Sequence, residues 1–302
     1  MKLYNKISTF SLGLLLFVGA LFHCSPSWGQ SLQTIFKEAA SGGRFAMPTH
    51  GELAEAQLLF ELLLAGKKNT KAFEALLDSL HMEMVPLEHE GDTLTVIREA
   101  KDRKTGRGLY VHCDAAPASA YLMAPHSFTD IHTGRIALKL VELGGFSLTA
   151  FNTEKRSRVD GNVKLNQDMA HLTGTYFTAL SHAIAKQTGS PRVVQLHGYE
   201  QGHQKTPEAR EAEIIISSGQ RPLLPVVKKI SDSLSNTTPF LTRTYPDHVD
   251  ELGGTTNITG RIMRKARQEG FIHVELSRPV RTRLNNDPET LHKFNQCITG
   301  RQ

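Results

Sequence analysis

AYLMAPHSFTDIHTGRIALKLVEL, residues 120–143, joins two structural patterns in one short stretch. Its first five residues form an apolar run that ends at a proline, which is typical of a buried β-strand. From about residue 130 to residue 143, the apolar residues recur at helical spacing instead. A buried strand followed at once by a helix is the repeating unit of α/β proteins, so this stretch indicates that fold class.

The same alternation extends in both directions along the chain. Helical patterns also cover about 52–65, 70–80 and 168–187. Further strand-like runs are Thr93–Ile97, Gly108–His112, Ser147–Phe151, Arg192–Leu196, Glu213–Ser217 and Phe271–Leu276. This order predicts a three-layer α/β sandwich, in which a mixed, mostly parallel sheet is flanked by helices. We find no internal repeat and no low-complexity linker, so residues 30–302 are predicted to form a single domain.

The first 29 residues have the pattern of a secretory signal peptide. Lys2 and Lys6 form a positive start, an apolar run from Phe10 to Phe22 follows, and cleavage is expected after about Gly29. The apolar run is too short for a comfortable membrane span, although an uncleaved anchor is the alternative interpretation. We therefore expect a secreted or periplasmic protein that has no stable membrane span after cleavage.

The composition excludes several classes of protein. Of the 302 residues, 39% are hydrophobic and only three are cysteines, which argues against a disordered chain and against a disulfide scaffold. Two lysines and no acids leave with the signal peptide, so 33 basic and 30 acidic residues remain, a net charge of +3. That balance argues against a nucleic-acid partner. The expected partner is a small-molecule or peptide substrate, which the residues described below imply. Cys113 and Cys297 form either a disulfide, which export permits, or two separate buried thiols.

Residues suited to metal ligation or proton transfer lie where predicted strands end. His126 follows a predicted strand after one proline, His197 follows another directly, and Glu275 interrupts the apolar run of the last strand. Ligands bind outside the carboxyl ends of strands in open α/β sheets, and two histidines with a carboxylate are a common set of zinc ligands. His126 and His197 are therefore the leading candidates among the 14 histidines, with His132 and His203 in reserve. Surface or packing roles are expected for others, such as His112, His171 and His273.

An ordered set of residues between about 105 and 283 carries a family resemblance. In chain order, the set comprises His126 with Asp130, Asn152 with Arg156 and Arg158, the stretch Leu165–Asp168, the stretch His197–Gln201, and Glu275. This order resembles the zinc carboxypeptidase superfamily in its broad sense, which includes the N-formylglutamate amidohydrolase and poly-γ-glutamate hydrolase branches. The resemblance implies a phosphorylase/hydrolase-like fold with a mixed eight-stranded sheet between helices.

The same resemblance implies a role for each residue. The three implied zinc ligands are His126, Asp130 and His197. Glu275 would be the general base that activates the metal-bound water. Arg156 or Arg158 would bind a substrate carboxylate, because a guanidinium can donate two parallel hydrogen bonds to it. Tyr199 would line the substrate cleft.

The acid of this predicted metal site departs from the family pattern. In the carboxypeptidases proper, the acid follows the first histidine by three residues. Here Thr129 occupies that position, and Asp130 comes one residue later. Asp130 therefore either reaches the metal or caps the helix that is expected to begin there. Asp114 and His132 are alternative second ligands.

The leading hypothesis is a secreted zinc-dependent hydrolase that cleaves an amide bond with metal-activated water. The bond would belong to a peptide, a γ-glutamyl polymer or an N-acyl amino acid. The alternative is a ligand-binding protein of the same fold without catalysis, which the displaced Asp130 motivates. Glu275 also has a structural alternative, in which it faces solvent and pairs with Arg278. No G-x-S-x-G motif is present, so a serine nucleophile is not predicted.

Overall fold

Strands and helices alternate in the computed structural model, which describes residues 31–40, 42, 44–89, 91–116, 119–160 and 163–301. The strands are β1 (Met82–His89), β2 (Asp92–Glu99), β3 (Leu109–Cys113), β4 (Ala120–Ala124), β5 (Leu148–Phe151), β6 (Ser157–Asp160), β7 (Val163–Asn166), β8 (Arg192–Tyr199), β9 (Ile214–Ser217), β10 (Thr242–Thr244) and β11 (Phe271–Ser277). The helices are α1 (Leu32–Ala39), α2 (His50–Leu64), α3 (Lys71–Ser79), α4 (Thr133–Leu143), α5 (Tyr176–Ala185), α6 (Pro207–Glu211), α7 (Pro225–Thr237), α8 (Ile258–Lys265), α9 (Arg278–Asn286) and α10 (Pro288–Thr299).

Nine of these strands form one mixed sheet in the order β1-β2-β3-β5-β4-β8-β11-β9-β10. The four central strands β5, β4, β8 and β11 run parallel, so their carboxyl ends open at the same edge. Antiparallel pairs join β1, β2 and β3 on one side and β9 on the other. The predicted mixed α/β sheet is confirmed. The family resemblance implied eight strands, whereas the sheet of the described residues has nine.

Helices cover both faces of the sheet and complete the predicted three layers. One face packs against α1, α4, α7, α9 and α10, and the other packs against α2, α3, α5 and α8. Since side chains alternate along a strand, Leu122 of β4 faces the first layer and Met123 faces the second. Burial of this apolar surface, at about 25 cal/mol per Å², is the main term that stabilises such a sandwich.

The register of β8 and β11 gathers polar residues on one face near the open edge. His197 lies opposite Glu275, and Gln195 lies opposite His273. Phe271, which shares their face of β11, packs in the layer of α5 and α8. These four polar side chains therefore emerge on the α5/α8 side of the sheet.

The predicted strands and helices are all present, with shifted ends. The helix predicted over 168–187 begins at Tyr176, because Thr175 caps it in a capping box with Thr178. The helix expected to begin at about residue 130 begins at Thr133. The sequence patterns missed the short or partly exposed elements α1, α6 to α10, β1, β6, β7 and β10.

The remaining sequence predictions concern the signal peptide, the domain organisation, membrane spans and the cysteines. The predicted signal peptide, residues 1–29, lies outside the described residues, and the single domain over 30–302 also stays a prediction. Within the described part of the chain, no helix is long and apolar enough to cross a membrane. Cys113 and Cys297 are separate free cysteines, so of the two alternatives the structure has two thiols.

Candidate metal centre and active site

The loop after β4 brings a histidine and an aspartate together. The backbone N–H of Asp130 donates to the His126 carbonyl at 3.0 Å and closes one helical turn. Asp130 Oδ2 consequently lies 3.2 Å from His126 Nδ1, and the same oxygen accepts the Gly198 N–H at 2.8 Å. Helix α4 begins at Thr133 with His132 as its N-cap, so Asp130 does not cap it. This turn absorbs the one-residue displacement of the acid, because residues four apart on a helical turn share a face.

His197 joins this pair from the neighbouring strand β8. Its Nδ1 lies 3.3 Å from His126 Nδ1, and the ligand atoms of His126, Asp130 and His197 all lie within 4.8 Å of one another. His126 is only 2% exposed and His197 only 4%. The structure therefore brings the three sequence-predicted zinc ligands to one buried point.

Hydrogen bonds at Nε2 of His126 and His197 decide which ring nitrogen of each histidine faces the point where the three ligands meet. His126 Nε2 lies 2.8 Å from Asp168 Oδ1, and His197 Nε2 lies 2.8 Å from Gln195 Oε1. Both partners are oxygen acceptors, so each histidine carries a proton on Nε2. In a neutral ring the Nδ1 lone pair is then free, and the two Nδ1 atoms face each other.

These donor atoms fit a zinc ion. Two imidazole lone pairs and a carboxylate oxygen that converge on one point repel one another unless a cation or a proton lies between them. Imidazole nitrogen and carboxylate oxygen are the atoms that Zn²⁺ takes in catalytic sites, where one position stays open. A carboxylate behind a ligating histidine, as Asp168 is behind His126, commonly accompanies such ligands. His126, Asp130 and His197 are the residues that would hold the ion.

A proton takes the place of the cation in the metal-free site. Burial lowers the pKa of His126, but the hydrogen bonds to Asp130 and Asp168 outweigh burial and raise that pKa to about 9. Burial, together with the nearby His273, holds the pKa of His197 well below its usual range. At neutral pH the metal-free site therefore contains a protonated His126 beside a neutral His197.

Zinc binding should weaken as the pH falls. Below about pH 9, His126 must lose its Nδ1 proton before that nitrogen can ligate a metal. Release of one proton per ion lowers the apparent affinity about tenfold for each pH unit. Competition titrations against a chromophoric chelator, at several pH values and fixed ionic strength, measure this slope. An affinity that does not change over this range would contradict the raised pKa of His126.

Glu275 lies beside the metal group, opposite His197 in the register of β8 and β11. Its side chain is buried, and its Oε2 has no hydrogen-bond partner among the described residues. Its Oε1 lies 3.7 Å from His273 Nε2. Burial and the nearby Asp130 raise the pKa of Glu275 to about 8. A buried carboxyl group with a free oxygen and a pKa near neutrality is suited to proton transfer.

The structural alternative for Glu275 does not agree with its surroundings. The side chain faces the cleft and is only 8% exposed, whereas that alternative requires it to face solvent. Arg278 is exposed at the start of α9, and no ion pair joins it to Glu275 in the described part of the chain.

The site lies in a cleft of about 610 Å³, a size that suits a small molecule or a short peptide segment. Arg156 lines this cleft, and its Nε donates to Asp168 Oδ2 at 2.7 Å. Arg158 lies on β6 and is not among the described residues that line the cleft. Tyr199 lines the cleft, and its hydroxyl donates to the Ala212 carbonyl, which holds the side chain against the cleft wall.

The alternative second ligands lie apart from the metal group. Asp114 pairs with Lys68 and with His112 at the end of β3. His132 has a left-handed backbone at the N-terminus of α4 and forms no capping hydrogen bond with its side chain. The reserve residue His203 lines the outer cleft and is exposed. Asp130 is therefore the acid that the structure places beside both histidines.

Sequence reasoning missed Asp168, Gln195 and His273 as site residues. Asp168 belongs to the stretch Leu165–Asp168 that contributed to the family resemblance, but its contact with His126 depends on the path of a loop. Gln195 precedes His197 by two residues, so strand alternation alone could have placed both on one face. His273 was expected to be a packing residue, yet it lines the cleft with its ring centroid 4.4 Å from that of His197. Burial lowers the pKa of His273 to about 3.

Gly254 allows the loop at the cleft wall to pass close to His273. It has a φ of +61°, and a Cβ there would lie 2.7 Å from His273 Cγ. We expect Gly254→Ala to lower the free energy of unfolding by about 2–4 kcal/mol, from the left-handed backbone and the steric overlap. Denaturant unfolding of the metal-free protein measures this loss. Gly202→Ala is the matched control, because Gly202 is exposed with no atom within 4 Å of its added Cβ, and equal losses would contradict the assignment.

Comparison with known proteins gives distant structural likenesses. No protein-family model matches this chain, and no curated protein matches it. Among solved structures, the chain is similar to an aspartoacylase family protein from Mesorhizobium loti MAFF303099, with 12% identity and a TM-score of 0.38. That match covers 72% of this chain and 66% of the other, just under two thirds of its length. The chain is also similar to a candidate metallopeptidase from Shewanella amazonensis SB2B, with 8% identity, a TM-score of 0.30 and coverage of 82% and 91%.

Proposed function

We propose that this protein is a zinc-dependent hydrolase that cleaves an amide bond. One observation carries the proposal: His126, Asp130 and His197 each bring one ligand atom to within 4.8 Å of the others, beside the buried carboxyl group of Glu275. Three ligands with one open position and an adjacent acid–base group are the parts that metal-assisted hydrolysis requires. The substrate class is an amide of a peptide, a γ-glutamyl chain or an N-acyl amino acid.

Glu275 is the proton carrier of the proposed reaction. A zinc ion held by His126, Asp130 and His197 would polarise the scissile carbonyl and lower the pKa of an attacking water. Glu275 accepts the proton of that water at its free oxygen and donates it to the leaving amine. Its raised pKa of about 8 belongs to the metal-free site, and positive charge nearby favours the ionised form that a base needs.

Arg156 is the group that we expect to bind a substrate carboxylate. It lines the cleft with its side chain 47% exposed, while its Nε is held by Asp168. Arg156→Met should raise KM about 10- to 100-fold for an amide substrate that has a free carboxylate, because a charge-assisted hydrogen bond is lost. The measurement compares this substrate with its carboxamide analogue, whose KM should change little. Arg158→Met, outside the cleft, is the matched control. If Arg156→Met raised KM equally for the carboxylate substrate and its carboxamide analogue, the role of Arg156 would be contradicted.

The proposal is tested by metal content and turnover of the purified protein. We expect about one zinc ion per chain and hydrolysis of at least one member of a panel of peptides, γ-glutamyl oligomers and N-acyl amino acids. A wild-type protein that binds no zinc contradicts the proposal. Stoichiometric zinc without turnover on the whole panel would instead favour a ligand-binding protein that has no catalytic activity.

We also propose that the protein is exported. The pattern of residues 1–29 supports this proposal, with its positive start and its short apolar run. Expression in a bacterial host with separate analysis of periplasm and cytoplasm tests it. An N-terminus near residue 30 on the exported chain is the expected result, and a full-length cytoplasmic chain would contradict it.

A further inference from the structure

Gln195 lies behind the metal group, buried beneath His197. It is fully buried on β8, and its Oε1 is 2.8 Å from His197 Nε2. An amide has one end that accepts hydrogen bonds and one end that donates them, so its orientation decides which nitrogen of a contacting histidine carries the proton. The orientation of Gln195 therefore matters for metal binding at His197 Nδ1.

Asn257 determines the orientation of Gln195 from one side. Asn257 is the N-cap of α8, and its Oδ1 accepts the Gly260 N–H at 3.2 Å. A backbone N–H can only donate, so the Asn257 oxygen must face Gly260 and its NH₂ group must face away. That NH₂ group donates to Gln195 Oε1. The cap of a helix therefore requires Gln195 to present its oxygen.

A second chain of hydrogen bonds fixes the same orientation from the other side. The Ser181 hydroxyl donates to the Phe177 carbonyl at 2.7 Å and contacts Thr259 Oγ1 at 3.0 Å. Thr259 has one hydroxyl proton, which is directed to Met123 Sδ at 3.9 Å, so its oxygen faces Gln195 as an acceptor. Thr259 Oγ1 can then accept from Gln195 Nε2, which lies 3.4 Å away. Both sides require the NH₂ group of Gln195 to point away from His197.

We propose that Gln195, oriented by Asn257 and Thr259, is a positioning residue that holds the proton of His197 on Nε2 and leaves Nδ1 free to bind the metal. The proposal rests on the proposed zinc site and assigns a role to residues that do not touch the metal. With the amide reversed, the NH₂ group would face His197 Nε2, which would have to accept. The proton would then lie on Nδ1, where it excludes a metal ligand.

The first test measures zinc affinity in two matched variants of Gln195. Gln195→Met removes the acceptor at similar volume, and we expect it to weaken zinc binding about 10- to 100-fold. Gln195→Glu keeps an oxygen that accepts from both His197 and Asn257, so its affinity should stay within about threefold of the wild type. Competition against a chromophoric chelator measures both. Equal affinity of Gln195→Met and the wild type would overturn the inference, whereas a wild type without zinc would overturn the proposed function itself.

The second test separates this role from general packing. Asn257→Ser keeps a capping oxygen for α8 but removes the donor to Gln195, and it should also lower zinc affinity while the unfolding midpoint stays near that of the wild type. Long-range ¹H–¹⁵N correlation spectra of the zinc-loaded protein identify the protonated nitrogen of each histidine. We expect His197 to carry its proton on Nε2. A proton on Nδ1 of His197, or unchanged zinc affinity in Asn257→Ser, would overturn the inference.

Discussion

Turnover of the zinc-loaded protein should fall by about 10²- to 10⁴-fold when Glu275 is replaced by glutamine. Glutamine has nearly the same shape but cannot accept a proton from water or return it to an amine. The zinc content should remain that of the wild type, because the three proposed ligands are His126, Asp130 and His197, and Glu275 is not among them. Steady-state kinetics with the best substrate of the panel, together with metal analysis of the same sample, measure both quantities.

Stability provides an internal check on the same variant. The folded-state pKa of Glu275 is raised to about 8, so the folded chain binds more protons than the unfolded chain between about pH 4.5 and 8. This group therefore makes the metal-free protein less stable as the pH rises through that window. Glu275→Gln removes the group that ionises, so the variant should be at least as stable as the wild type near pH 8.

Glu200→Gln is the matched control for the kinetic experiment. Glu200 lines the same cleft, but its carboxylate pairs with Arg281 at 3.0 Å. We expect its kcat to stay within about threefold of the wild type, as for other substitutions away from the chemistry. Full turnover of Glu275→Gln, or an equal loss in both variants, would contradict the role of Glu275.

Replacing His126 by alanine should remove zinc from the protein. Two ligands would remain, and a catalytic zinc site requires three from the protein. The metal content should fall from about one ion per chain to near zero, and hydrolysis should disappear with it. His203→Ala is the control, since His203 lines the same cleft but lies outside the metal group. Its zinc content should not change.

A second variant keeps this prediction testable if His126→Ala folds poorly. Loss of His126 leaves Asp130 and Asp168 without their shared partner, and breaking a buried charged pair costs about 3–5 kcal/mol. His197 is neutral in the metal-free site, so His197→Ala leaves no unpaired charge behind. Zinc retained at wild-type content in His197→Ala would contradict the metal site.

Strand alternation explains how the sequence identified the candidate residues. Apolar runs and helical spacing indicated the α/β layers, and the ends of those runs identified His126 and His197. The expected position of Glu275 on a late strand also agrees with its place on β11. These features are local, because a period of two along a strand is a property of neighbouring residues.

Contacts between segments that are distant in the sequence could not be predicted from local patterns. From the sequence, Asp130 was compatible with either a helix cap or a metal ligand. In the structure, one helical turn precedes Thr133, and the Asp130 carboxylate accepts the Gly198 N–H. Asp168 reaches His126 across 42 positions, and Asn257 reaches Gln195 across 62. No periodicity in a single segment encodes such a meeting, since it depends on how loops cross the open edge of the sheet.

By itself, the sequence indicated the layer architecture and placed His126, His197 and Glu275 at or near the carboxyl ends of strands, because these features depend on local patterning. Only the tertiary structure decided that Asp130 faces the histidines, that Arg156 and not Arg158 lines the cleft, and that Asp168 and Gln195 contact the Nε2 atoms of His126 and His197. The physical reason is that metal ligation requires the ligand atoms to be placed to within a few tenths of an ångström. Only the packing of strands and loops in three dimensions specifies positions with that precision.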